Sequence, residues 1–234
     1  MSSCSKDAAI NKQVIYLPIL RMIISHRHKF IFIAIPKTAT HAIRIALRPH
    51  LTEEDTEQVG LFIKKKFPYE TLASIDHGHI KCTEIEPVLG KEAWKEYYKF
   101  AVVRNPYDRF VSYCAFMNKG NPDFEKNPQT YMYHALLNKK THKHILFLPQ
   151  SEFICDKNGT VMIDMVGKYE QLQTFADDVL DHFGCAKKEL EVINTSKHKP
   201  YAEYYNDELK EMVYDYYKND FNNFEYNRTL SEGY

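Results

Sequence analysis

Phe30-Ile31-Phe32-Ile33-Ala34-Ile35-Pro36-Lys37-Thr38-Ala39-Thr40-His41 opens as an unbroken apolar run and closes as a small, hydroxyl-rich loop carrying one lysine. An all-apolar run of this length suits a strand buried on both faces, as in parallel sheets. Ala42-Ile43-Arg44-Ile45-Ala46-Leu47 then shifts to helical periodicity. The loop is therefore expected where a strand feeds a helix N-terminus. Unpaired backbone N–H groups and the positive end of the helix dipole favour an anion at such a place, and Lys37, Thr38 and Thr40 add further donors. The glycines of a Walker A loop are missing, and the lysine precedes the hydroxyls. An ordinary strand-to-helix turn with a solvated lysine is the competing reading.

Tyr98-Lys99-Phe100-Ala101-Val102-Val103 reads as a second buried strand and runs into Arg104-Asn105-Pro106-Tyr107-Asp108-Arg109-Phe110-Val111-Ser112-Tyr113. Asn105 is a good N-cap, Pro106 suits the first helical position, and Asp108 complements the dipole. Arg104 thus falls at a strand tip. Ser112 lies about two turns into the helix, so a guanidinium fork and a hydroxyl can serve one phosphate. Arg109 pairing with a carboxylate and Ser112 bonding back to its own helix are the structural alternatives.

The two segments together resemble the nucleotide-binding elements of sulfotransferases that use 3′-phosphoadenosine-5′-phosphosulfate (PAPS). Pro36-Lys37-Thr38-Ala39-Thr40 is similar to the family's 5′-phosphosulfate loop. Arg104, Pro106, Arg109, Ser112 and Tyr113 match its 3′-phosphate segment. Gln150-Ser151-Glu152-Phe153, Met165 to Leu172, Asn194-Thr195-Ser196 and Tyr217-Lys218-Asn219-Asp220-Phe221 look like the C-terminal half of the carbohydrate branch, especially the uronyl 2-O-sulfotransferases. The resemblance runs from about Phe30 to Tyr226. It implies a P-loop NTPase-like, three-layer α/β fold with a central parallel sheet flanked by helices. It also implies PAPS as cosubstrate and a hydroxyl-bearing acceptor, expected to be a saccharide. Pro36, Lys37, Thr38, Ala39, Thr40, His41, Arg104, Ser112, Ser196 and Lys197 are the expected nucleotide-binding residues. In an open α/β sheet such ligands sit outside the carboxyl ends of the strands, where both motifs fall.

Asp76-His77-Gly78-His79-Ile80 is the third candidate segment. If it is extended, His77 and His79 face the same side, and Gly78 permits a close approach. Transfer to a hydroxyl needs a proton acceptor, and imidazole titrates nearest working pH. The pattern resembles the uronyl 2-O-sulfotransferases, which carries the role of base to His79, with His77 beside it; Lys37 is separately expected to stabilise the charge on the bridging oxygen of the departing 5′-phosphate. A zinc pair is the competing reading, but no Cys or His cluster elsewhere has matching spacing, so no metal is expected. Two half-exposed, backbone-bonded histidines are the plain alternative.

At 234 residues the chain fits one α/β domain, with residues 1–29 a candidate N-terminal extension. Lys+Arg and Asp+Glu balance at 31 each, which leaves no global field for a nucleic acid or a highly anionic polymer. The 17 Tyr and 14 Phe suggest a well-filled core. Five widely spaced cysteines read as free thiols of a reducing compartment. Val14 to Ile24 is too short and too interrupted to span a bilayer, so a cytoplasmic enzyme is expected, or else the luminal part of a longer, Golgi-anchored one.

A helix is expected from an N-cap at Thr52 through Leu61 and Phe62, and others over Tyr131 to Lys140, over Glu170 to His182, and from Asn206 to Tyr217. Phe153 to Cys155 and Val161 to Met165 read as a short hairpin or a loop flanked by strands. The basic loop Ser196-Lys197-His198-Lys199 suits closure over the nucleotide or acceptor, or a solvated turn. Two other classes fit the anion loops less well. A P-loop-related kinase would need a magnesium-binding hydroxyl after the lysine, which Thr38 meets in part. A silent nucleotide-binding protein would lack a competent base.

Overall fold

The computed structural model describes residues 20–59, 70–73, 75, 77–190 and 199–230. Among these residues five strands form one sheet: β1 (Leu20–Ser25), β2 (Phe30–Ile33), β3 (Thr56–Val59), β4 (Tyr98–Val103) and β5 (Met165–Lys168), in the order β3-β1-β2-β4-β5. β2, β4 and β5 run parallel, in the registers Phe30↔Tyr98 to Ile33↔Ala101 and Phe100↔Met165 to Val103↔Lys168. β1 is antiparallel to both β2 and β3, so the expected parallel sheet carries an antiparallel half at one edge. β1 lies within the stretch read as an N-terminal extension and is part of the sheet.

Both faces of the central strands are covered. Phe30, Phe32, Phe100 and Val102 pack with Ile43 and Leu47 of α1 (Thr40–Leu47), and with Phe175, Val179 and Leu180. Ile31, Ile33, Ala101 and Val103 face the other way, toward Ile80, Cys82 and Ile85, the last two in α2 (Cys82–Leu89), and toward Phe153 and Ile154. This period-2 division makes three layers. Full burial of each large apolar side chain contributes about 1.5–3 kcal/mol, so β2 alone anchors the segment that leads into the loop. Lys99, the one charged residue of β4, is satisfied by Asp164 and the carbonyls of Trp94 and Tyr97.

A third core cluster gathers much of the aromatic content. In it α3 (Pro106–Met117) packs Tyr107, Phe110 and Tyr113 against Phe147, Tyr217 and Phe221. Four other stretches differ from their expected form or bounds. The helix expected from Thr52 is a turn followed by β3, because the Asp55 carboxylate accepts from the Thr52 N–H (2.7 Å) and hydroxyl (3.2 Å), and from the His26 N–H (2.7 Å). Leu61 and Phe62 lie outside the described residues. Glu57 then holds β3 to α1 by accepting from the Arg44 guanidinium at 2.7 and 2.9 Å.

Phe153 and Ile154 belong to a one-turn helix, Ser151–Ile154, and of the expected hairpin only an antiparallel bridge, Cys155↔Val161, is present. Met165 begins β5 instead. There Gly167 admits the Phe175 ring so closely that a Cβ would sit 2.1 Å from it, and only glycine fits. The other expected helices are present as Pro128–Leu137, as α4 (Leu172–His182) after a 3₁₀ turn at Tyr169–Gln171, and as α5 (Asp207–Tyr216), capped by the Asn206 side chain. Among the described residues no helix is long and apolar enough to cross a membrane.

Candidate active site

The 34–41 loop leaves the carboxyl end of β2 and enters α1 without a glycine. Lys37 and Ala39 nevertheless adopt left-handed backbone angles, φ 67° and 58°. Each costs about 1–2 kcal/mol relative to an ordinary conformation. Such kinks turn successive N–H groups toward one concavity, the arrangement that binds anions. α1 has Ala39 at its N-cap, no side-chain cap and no acidic residue in its first turn. Among the described residues no acceptor meets the N–H groups of Thr38, Ala39, Thr40 or His41. The positive end of the helix is thus left for a ligand.

The individual side chains differ in what they offer. The Thr38 hydroxyl, fully buried, donates to the Ile35 carbonyl at 2.9 Å, so it shapes the loop instead of pointing a donor into it. Thr40 is the first residue of α1 and is half-buried. Burial lowers the His41 pKa, with Arg44 and Arg48 adding to the effect, which disfavours its cationic form. The Lys37 ammonium lies 4.3 Å from the centroid of the Phe116 ring, at the end of α3.

Arg104 follows β4 directly and reaches the first loop. Its Nη1 donates to the Lys37 carbonyl at 3.4 Å, and its Nε pairs with Asp108 at 2.7 Å. Tyr169 lies beneath the guanidinium, 4.2 Å from centroid to Cζ. Asn105 caps α3, its side chain accepting from the Tyr107 N–H at 3.0 Å. Ser112 is 5 % exposed, and its hydroxyl has no hydrogen-bond partner among the described residues. Arg109 does not pair with a surface carboxylate. It is buried, its Nε donates to the Pro36 carbonyl at 2.9 Å, and its Nη2 donates to the carbonyls of Leu148 (2.9 Å) and Leu146 (3.4 Å). Arg109 therefore fixes the loop from behind.

The histidine segment joins the same loop. His79 is buried and its Nδ1 lies 2.6 Å from the Ala34 carbonyl, two residues before Pro36. A carbonyl only accepts, so Nδ1 carries the proton and the lone pair resides on Nε2. The segment is not extended as expected. Gly78 has φ 58°, and the turn sets the His79 N–H 3.3 Å from His77 Nδ1, with ring centroids 6.4 Å apart. Asp76, Ser196 and Lys197 lie outside the described residues. Among the described residues no three His, Cys, Asp or Glu side chains are grouped to hold a metal ion.

Pro36 to His41, Arg104 and His79 are thus brought together at the carboxyl ends of β2 and β4. Such a place can hold an anion with two charged groups and take a proton from a neighbour. Sequence reading gave no role to Tyr169, Gln150 or Phe116. Their contacts are with residues tens of positions away, so the surrounding sequence carries no local sign of them. A cleft of about 490 Å³ lined by Asn105, Lys168, Glu170, Tyr226 and Asn227, among others, opens beside the α3 cap and contains none of the residues expected to bind the nucleotide.

A family model described as "Sulfotransferase family" matches residues 20–227. No curated protein and no solved structure matches the chain.

Proposed function

The chain belongs to the sulfotransferase family, and on that premise we propose that it transfers a sulfuryl group from PAPS to an acceptor hydroxyl on a carbohydrate. The observation that carries this reading is the reach of Arg104 to the Lys37 carbonyl, which joins two independently recognisable anion motifs into one site. Two separated phosphate groups on one nucleotide need such a pair. The 34–41 loop receives the 5′-phosphosulfate, while Arg104 and Ser112 receive the 3′-phosphate. The acceptor oxygen attacks sulfur in line, and its proton passes to His79 Nε2. The bond from sulfur to the bridging oxygen breaks, and Lys37 stabilises the charge left on the departing 5′-phosphate. The kinase alternative is weakened by the full burial of the Thr38 side chain and by the missing loop glycines.

Adenosine 3′,5′-bisphosphate, the desulfated product, is expected to raise the melting temperature in a concentration-dependent way. The stabilisation reaches about 2.7 kcal/mol at a hundred times Kd and needs no magnesium. Equal stabilisation by 5′-AMP would remove the 3′-phosphate role of Arg104 and Ser112.

A further inference from the structure

Gln150 is fully buried and spends its whole side-chain amide on one residue. Its Oε1 accepts from the Arg104 N–H at 2.8 Å, and its Nε2 donates to the Arg104 carbonyl at 2.8 Å. These are the two bonds a neighbouring strand would supply, offered at the position where β4 has just ended at Val103. The amide holds the backbone of residue 104 from which the guanidinium projects.

Gln150 is itself held. Its N–H donates to Asp220 Oδ2 at 2.7 Å and the Ser151 N–H to Oδ1 at 2.8 Å, with the carboxylate fully buried. Arg109, whose charge is felt at Asp220, donates to Pro36 in the other phosphate loop. One buried scaffold therefore stands behind both loops. Asp108 and Tyr169 orient the Arg104 side chain, but neither fixes its Cα.

We propose that Gln150 is a positioning residue for the 3′-phosphate: it sets the backbone of Arg104, with Asp220 setting Gln150 in turn. The proposal rests on the reading of Arg104 as the 3′-phosphate ligand. An arginine that reads a phosphate is sensitive to displacements of well under 1 Å, so the clamp governs discrimination between nucleotides with and without that group. Its loss leaves the N–H and carbonyl of Arg104 buried without partners.

The test measures Kd for adenosine 3′,5′-bisphosphate and for 5′-AMP by calorimetry, beside melting curves, in the wild type and in Gln150→Met, Gln150→Glu and Asp220→Asn. Methionine keeps the volume and removes both bonds. Affinity for the bisphosphate is expected to fall about 10- to 100-fold while that for 5′-AMP stays within about two-fold. A buried, neutral glutamic acid reproduces both bonds and is expected to restore most of the discrimination. Asp220→Asn, which loosens the Gln150 backbone without touching its side-chain amide, is expected to show a smaller loss of the same selectivity, and it carries the test if the methionine variant does not fold. Folded variants that lose both nucleotides by the same factor, or neither, overturn the proposal. A wild type that binds both nucleotides alike overturns the 3′-phosphate reading instead.

Discussion

Replacing His79 with alanine is expected to lower turnover by about 10²–10⁴-fold while leaving affinity for adenosine 3′,5′-bisphosphate nearly unchanged, as loss of a positioned proton acceptor should. The tautomer makes the expectation specific. With Nδ1–H donating to the Ala34 carbonyl, the lone pair that would take the hydroxyl proton in the proposed mechanism is on Nε2. His79→Asn separates chemistry from support, because its amide can still donate toward Ala34 but accepts no proton at catalytic pH. It should lose as much turnover as the alanine variant and melt closer to the wild type. Below the imidazole titration the wild-type rate should fall, since a protonated ring cannot act as base. His77→Ala should cost less, since in the proposed mechanism His77 stands beside the base, its Nδ1 3.3 Å from the His79 N–H, and does not itself take the proton. An active His79→Ala enzyme with an unchanged pH profile would take His79 out of the mechanism, and zinc found in the wild type but lost from that variant would favour a metal site.

Lys37→Ala and Arg104→Ala are expected to separate along different kinetic parameters. Charge on the bridging oxygen of the leaving phosphate appears only during transfer. Loss of Lys37 should therefore cut kcat by roughly 10²–10³-fold, the scale for removing a preorganised charge stabiliser. In the proposed site Arg104 would face a 3′-phosphate whose charge does not change, so its loss should raise KM for the donor with little change in kcat. The Arg104 variant also leaves Asp108 buried without its 2.7 Å partner, so its melting temperature should drop more than that of the Lys37 variant. Initial-rate kinetics over both substrates distinguish the two. The reverse pattern would mean the two subsites are assigned the wrong way round.

The parts of this architecture that could be read in advance are those whose cause is local. β2 and β4 are apolar because both faces are covered, and the start of α3 is written in Asn105, Pro106 and Asp108. The loop was legible from residue chemistry, but its left-handed angles at Lys37 and Ala39 were not, because neither residue favours them. β3 reads locally as helix because its cause, the pairing of Glu57 with Arg44 and of its backbone with β1, lies outside the segment. β5 is a four-residue strand, Met165–Lys168, whose identity depends on its parallel pairing with β4, and Phe175 lies against its Gly167. The Arg104–Gln150–Asp220 chain was equally hidden. Its members stand 46 and 70 positions apart, and no periodicity connects them.

Exposing the 234-residue chain to PAPS labelled in its sulfuryl group, with a panel of saccharide, phenol and lipid acceptors, reads out the transfer itself. Label is expected on a saccharide hydroxyl, formed in equal amount with adenosine 3′,5′-bisphosphate and lost in His79→Ala. Tight binding of the bisphosphate with no label on any acceptor would contradict it and leave a protein that holds the nucleotide without transferring its sulfuryl group.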